Sequence, residues 1–306
     1  MKHYTVLKKE CIDGLNIKPD GIYVDGTLGY AGDSSEILKR IKNGKLIAFD
    51  RDKEAINYSN EVLKNISNSY QIFHDKFSNM KQCLESIGIT KVDGILFDFG
   101  VSSPQLDEKR GFSFMRDEVL DMRMNQEDYL TAENVVNEYS EEKLKEIFYK
   151  YGEEKRSAQI AKKIVEIRKQ KAIHTTRELV DIILSAVGAK YFYKEHPERN
   201  IFQAIRIEVN QELEDIKKAL PDAIDLLNPG GRLVVVTFHS LEDRIVKQIF
   251  KDFSEVDPVV KGLPEIPLEY LPKVNVITRK PILPSEEELQ ENSRSKSAKL
   301  RIVERN

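Results

Sequence analysis

Residues 21–33, GIYVDGTLGYAGD, run from a β-rich segment through a glycine-punctuated turn into the start of a helix. Gly26, Gly29 and Gly32 recur every third residue. Glycine lets a backbone approach a ligand closely, and a helix start leaves N–H groups without intrahelical partners. The spacing is not GxGxxG, so the turn reads either as a cofactor cradle or as a tight strand–helix connection. Outward from it, residues 33–41 place Ile37, Leu38 and Ile41 on one helical face, and residues 53–64 suit a second helix. Between and beyond them lie the β-rich runs 45–50 (KLIAFD), 70–74 (YQIFH) and 92–100 (VDGILFDFG). Strands spaced by helices predict a parallel sheet built from βαβ units.

Past Pro104 the pattern turns helical. Leu144, Ile147, Phe148 and Tyr151 share a helical face, and Thr175 with Glu178 forms a capping-box signal. Residues 107–200 are therefore predicted to form an all-α insertion, with 1–106 and 201–306 composing one discontinuous domain. The stripe Ile205, Val209, Leu213, Ile216, Leu220, Ile224, Leu227 predicts a long helix broken at Pro221. Asn228–Gly231 reads as a turn, residues 232–238 (RLVVVTF) as a strand, and 274–279 and 300–304 as late strands.

Composition narrows the classes. With 306 residues and 40% hydrophobic content the chain can build a sizeable core, and no aliphatic run approaches the roughly 20 residues of a membrane span. Cys11 and Cys83 offer neither a disulfide framework nor a CxxC pair, and Met1-Lys2-His3-Tyr4 lacks a signal-peptide layout, so a cytoplasmic location is expected. Five dispersed histidines show no ligand spacing, and no metal is expected.

Asp50 ends the second strand roughly 20 residues past the glycine turn, where an acid accepts hydrogen bonds from ribose hydroxyls. Turn and acid together favour a dinucleotide or an adenosyl cofactor, with Asp75 and Phe77 beside the adenine. The fourth strand separates these two. It ends in Asp98 followed by Ser102-Ser103-Pro104-Gln105, which resembles the turn that presents acceptors to an exocyclic amine in amino-methyltransferases. A dehydrogenase has no use for it. His239, after the strand 232–238, reads as a polar strand-end residue with a hydrogen-bonding role.

Charge is uneven although the total is only −3. Lys150, Lys155, Arg156, Lys162, Lys163, Arg168, Lys169, Lys171 and Arg177 face only Glu153, Glu154 and Glu166, and the tail adds Arg294, Lys296, Lys299, Arg301 and Arg305. Such stretches suit either solvated helix faces or phosphate contacts.

Residues 93–107 (DGILFDFGVSSPQLD), with 110–114 (RGFSF), 120–124 (LDMRM), 151–154 (YGEE), 202–210 (FQAIRIEVN), 230–233 (GGRL), 238–244 (FHSLEDR) and 297–301 (SAKLR), resemble the bacterial ribosomal RNA small-subunit methyltransferase H family, also called MraW. The resemblance implies a class I S-adenosylmethionine-dependent methyltransferase fold: a Rossmann-like, mostly parallel α/β sheet with helices on both faces, interrupted by an all-α substrate-recognition insertion. It implies N4-methylation of a decoding-centre cytidine (cytosine-1402) in 16S rRNA. The rRNA would be met within the small ribosomal subunit or an assembly intermediate. Cofactor contacts map onto Ala31, Gly32, Asp33, Asp50, Phe77, Asp98 and Gln105, with Asp98, Ser102, Ser103 and Pro104 positioning the target amine. Two motifs depart from the family pattern. Its Gly-Arg-Gly-Gly-His-Ser reads Gly29-Tyr-Ala-Gly-Asp-Ser34 here, and its Asn-Pro-Arg-Ser-Arg-Ser reads Asn292-Ser-Arg-Ser-Lys-Ser297. The competing classes are an NAD-dependent dehydrogenase and a non-catalytic rRNA-binding assembly factor.

Overall fold

Parallel strands are buried on both faces and so carry apolar side chains on both. In this computed structural model, which describes residues 5–101, 105–106, 109–256, 258–260 and 262–306, seven strands form one sheet. They are β1 (Ile22–Asp25), β2 (Lys45–Asp50), β3 (Tyr70–His74), β4 (Val92–Asp98), β5 (Leu227–Thr237), β6 (Val274–Val276) and β7 (Lys299–Arg305). The order is β3-β2-β1-β4-β5-β7-β6. Strands β1 to β5 pair in parallel, and β7 runs antiparallel to both of its neighbours. Helices α1 (Lys8–Leu15), α2 (Gly32–Arg40), α3 (Lys53–Leu63) and α4 (Met80–Ser86) alternate with the first four strands. This is the class I methyltransferase fold, a Rossmann-like sheet with one reversed strand near its edge.

Alternation along the strands divides the core. Leu46 and Ala48 of β2, Leu96 of β4, Val234 and Val236 of β5, and Leu300 and Ile302 of β7 join Cys11, Ile12 and Leu15 of α1 and Ile37 and Leu38 of α2 in one cluster. The intervening Ile47, Phe49, Ile95, Phe97, Leu233 and Val235 are buried as well. The segment read as a turn at 228–231 lies inside β5 as a bulge. There the pairing shifts between Val92 and Gly94, and Asn228 Nδ2 donates to Asp93 Oδ1 at 3.2 Å. The strand expected over 274–279 stops at Val276, whereas the one expected over 300–304 extends to Lys299–Arg305.

The chain divides into two units, Met1–Gly100 with Leu213–Asn306, and Val101–Glu212. The second contains α5 (Ala132–Glu138), α6 (Glu141–Lys150), α7 (Ser157–Arg168), α8 (Thr176–Val187), α9 (Ala189–Glu195) and α10 (Pro197–Asn210). The break expected after residue 200 falls after Glu212, because α10 buries Ile201, Phe202, Ala204, Ile205 and Val209 in this unit's own core. Val101 and Leu106 pack on the same core, which moves the first break earlier too. The long helix expected to break at Pro221 breaks instead at Gln211, whose φ of 55° is left-handed. α11 (Glu212–Leu226) then runs through Pro221.

Candidate active site

The carboxyl ends of β1, β2 and β4 each carry an aspartate, and the β1–α2 turn folds among them. Asp25 is buried and accepts the Thr27 N–H at 3.0 Å and the Ser34 hydroxyl at 2.6 Å. Thr27 Oγ1 accepts the Asp98 N–H at 2.7 Å, tying the turn to the end of β4. The glycines divide by role. A Cβ on Gly26 would collide with the Phe97 ring, and one on Gly32 with Thr5 Oγ1, so these two serve packing. Gly29, at φ +48°, has no atom closer than 3.8 Å to such a Cβ and is the position where the turn opens. Ala31, at φ 61°, precedes α2 without a side-chain cap. Left-handed backbone costs a non-glycine residue about 1–2 kcal/mol.

Asp50 is held by the same turn. The Gly29 N–H donates to Oδ2 at 2.8 Å and the Asp52 N–H to Oδ1 at 2.9 Å, while Ser59 Oγ donates to the Gly29 carbonyl at 2.7 Å. Burial pushes the Asp50 carboxyl up to about 6 despite these two donors. Each oxygen keeps a lone pair for a further donor, as a vicinal diol would supply. Beyond β3, Asp75 is occupied locally, accepting from the Lys76 N–H at 2.7 Å and from Asn79 Nδ2 at 2.8 Å. Phe77 packs against Phe97 and Phe99 with ring centroids 5.3 and 5.4 Å apart.

Asp98 and Asp33 present the strongest chemical signal. Each has a buried Oδ1 that meets no hydrogen-bond partner among the described residues. Burial raises Asp98 to about 8, helped by the charges of Asp25, Glu242 and Glu288. Burial and the Asp98 charge raise Asp33 well above the carboxylate range. Unpartnered buried acceptors are costly and point to a donor-bearing or cationic ligand. Ser102, Ser103 and Pro104 lie outside the described residues. Gln105 is buried and belongs to the second unit. His239 caps α12 (Ser240–Ser254): Nδ1 stands 3.5 Å from the Glu242 N–H, and Nε2 lies 3.1 Å from Glu242 Oε1. That is a strand-end, hydrogen-bonding role.

Asp25, the third strand-end acid, carries no weight in the sequence reading, although its place at the end of β1 repeats that of Asp50 and Asp98. The basic stretch of the second unit is largely spent on its own fold. Lys150, Lys163 and Lys171 pair with Glu146, Glu166 and Glu178. Arg156 donates to the Val187 carbonyl and lies over the Tyr191 ring, and Arg168 donates to the Val136 and Tyr139 carbonyls. Lys155, Lys162, Lys169 and Arg177 are the exposed bases of the stretch without an acidic partner among the described residues. In the tail, Lys299 and Arg301 both pair with Asp243.

Solved structures of several methyltransferases and one family model resemble this chain. A solved rRNA methylase from Streptococcus thermophilus is 11% identical, with 97% of this chain and 93% of that one covered at a TM-score of 0.43. A precorrin 8w decarboxylase from Methanobacterium thermoautotrophicum is also 11% identical, with 97% and 88% covered at a TM-score of 0.43. A family model described as the MraW methylase family matches residues 1–306.

Proposed function

Since the chain belongs to the MraW methylase family over its whole length, we propose that it is an S-adenosylmethionine-dependent enzyme methylating N4 of a decoding-centre cytidine in 16S rRNA. The family supports methyl transfer, and Asp98 carries the reading at the site: a half-buried strand-end aspartate whose buried Oδ1 meets no hydrogen-bond partner among the described residues. When bound, S-adenosylmethionine supplies a methyl group already activated on a sulfonium, which leaves alignment and proton handling to the chain.

Asp50 holds the ribose hydroxyls through the lone pairs that Gly29 and Asp52 leave unused. Phe77 flanks the adenine, backed by Phe97 and Phe99. Gly29, Ala31 and Gly32 would hold the methionine portion, and Asp33, whose buried Oδ1 has no partner among the described residues, would meet a positive charge there. An exocyclic amine attacks poorly while its lone pair is conjugated with the ring, so an acceptor must draw on its N–H groups. Asp98 takes that part, together with Ser102, Ser103, Pro104 and Gln105. Burial and the neighbouring acids raise its carboxyl to about 8 in the ligand-free protein, so its affinity for a proton is far above that of an ordinary carboxylate. The second unit supplies RNA recognition through Lys155, Lys162, Lys169 and Arg177. The cytidine leaves its stack to reach the cofactor.

No helix among the described residues is long and apolar enough to cross a membrane, and the reading carries a cytoplasmic location beside the small ribosomal subunit. Transfer of tritium from labelled cofactor to small-subunit particles tests it. Label should appear at N4 of one cytidine, and label absent from cytidine N4 refutes the assignment. Saturable binding of NAD in place of S-adenosylhomocysteine would return the site to the dehydrogenase class.

A further inference from the structure

We propose that Asp215, on α11, is a positioning residue for the adenosine end of the cofactor pocket; the inference rests on the cofactor reading above. Asp215 Oδ2 pairs with Arg51 Nη2 at 2.9 Å and lies 3.7 Å from Lys76 Nζ, while Oδ1 accepts the Ser78 hydroxyl at 2.7 Å. Arg51 is the chain neighbour of Asp50. Lys76 and Ser78 are the two neighbours of Phe77. One carboxylate therefore clamps the loops after β2 and β3 at the residues beside both proposed adenosine contacts.

The same loops are also joined backbone to backbone, since the Asp75 N–H donates to the Asp50 carbonyl at 3.0 Å. His74 Nε2 lies 3.0 Å from the Arg51 carbonyl. The clamp thus acts on loops already in register and fixes their separation from α11. Two further links continue along the same helical face: Lys218 Nζ donates to Asn79 Oδ1 at 2.8 Å, and Asp222 lies 3.8 Å from Lys81. Lys218 is exposed and the Lys81–Asp222 pair half-exposed, so solvent screens them. Asp215 is only 8% exposed. A buried ion pair adds little net stability against its desolvation cost, and what it does supply is geometry. α11 begins at Glu212, the last residue of the second unit, so Asp215 lies in the first turn of the chain's return to the first unit.

Isothermal titration of the full chain with S-adenosylhomocysteine and with 5′-methylthioadenosine, which lacks the amino-acid portion, tests the assignment. Asp215→Asn, nearly isosteric, should weaken both ligands at least ~10-fold, the loss typical when a group that orients direct ligand contacts is removed. Asp215→Glu should recover part of that loss, and Asp222→Asn, on the same face, should leave both affinities as they are. Binding by Asp215→Asn equal to the parent's overturns the proposal even if its melting temperature falls, since a merely structural role moves only the latter. Loss confined to S-adenosylhomocysteine overturns the adenosine assignment. If the parent binds neither ligand, the cofactor reading itself fails, a result distinct from both.

Discussion

At Asp98, burial and three neighbouring acids oppose ionisation. The carboxyl's folded value, about 8, stands above its ordinary 3.8. A raised acid leaves stability undiminished below the unfolded value; the fold then loses stability as pH climbs, until the folded value is passed. The ligand-free protein should accordingly weaken between about pH 4 and 8 on account of this residue. Asp98→Asn, which cannot ionise, should melt above the parent at about pH 9, match it near pH 4 and lose methyl transfer. Equal melting temperatures for parent and variant at the higher pH would show that the carboxyl ionises freely. Asp50 and Asp98 were legible in the sequence because strand ends in an open α/β sheet face the ligand edge. The purpose of Gly26 and Gly32 was not: only the folded chain sets Phe97 and Thr5 against them.

Among elements, local signals translated directly. Thr175 accepts the Glu178 N–H, and Glu178 in return accepts the Thr175 N–H at 3.2 Å, so the capping box starts α8 where the sequence places it. Thr175→Ala should cost about 1 kcal/mol in urea unfolding with an unchanged m-value; a loss under a few tenths would mean that the cap is redundant. The break at Gln211 had no local signal. Its neighbour Asn210 donates to the Met122 carbonyl and accepts the Met124 N–H, both at 2.8 Å, and Glu212 pairs with Arg206 at 2.9 Å. The two Asn210 contacts with residues distant in sequence, together with the local Arg206–Glu212 pair, therefore set the end of α10. Pro221 is a weaker breaker than its chemistry suggests, because α11 is anchored along one face by Asp215, Lys218 and Asp222.

Over the whole molecule, charge was countable from the sequence but its partners were not: five of the nine bases in the stretch pair within the fold. Reversing Lys155, Lys162, Lys169 and Arg177 to glutamate should weaken binding to 16S rRNA. The salt dependence of log K should flatten by roughly 0.7–0.9 for each phosphate that is no longer neutralised. An unchanged slope would place the RNA elsewhere. The second unit is continuous in sequence and has its own core, so Val101–Glu212 made alone should show helical circular dichroism and a cooperative melt. A non-cooperative melt would mean that its core is incomplete. The first unit is assembled from both sides of that stretch, and this bears on how the protein is made. As the chain leaves the ribosome, β4 emerges with Ile95, Leu96 and Phe97 ready to pair, but β5 is not synthesised until the entire second unit has been translated. A nascent sheet with one apolar edge waiting that long is exposed to aggregation and to mispairing. Translation speed and chaperone supply, more than final stability, should therefore govern the yield of soluble protein.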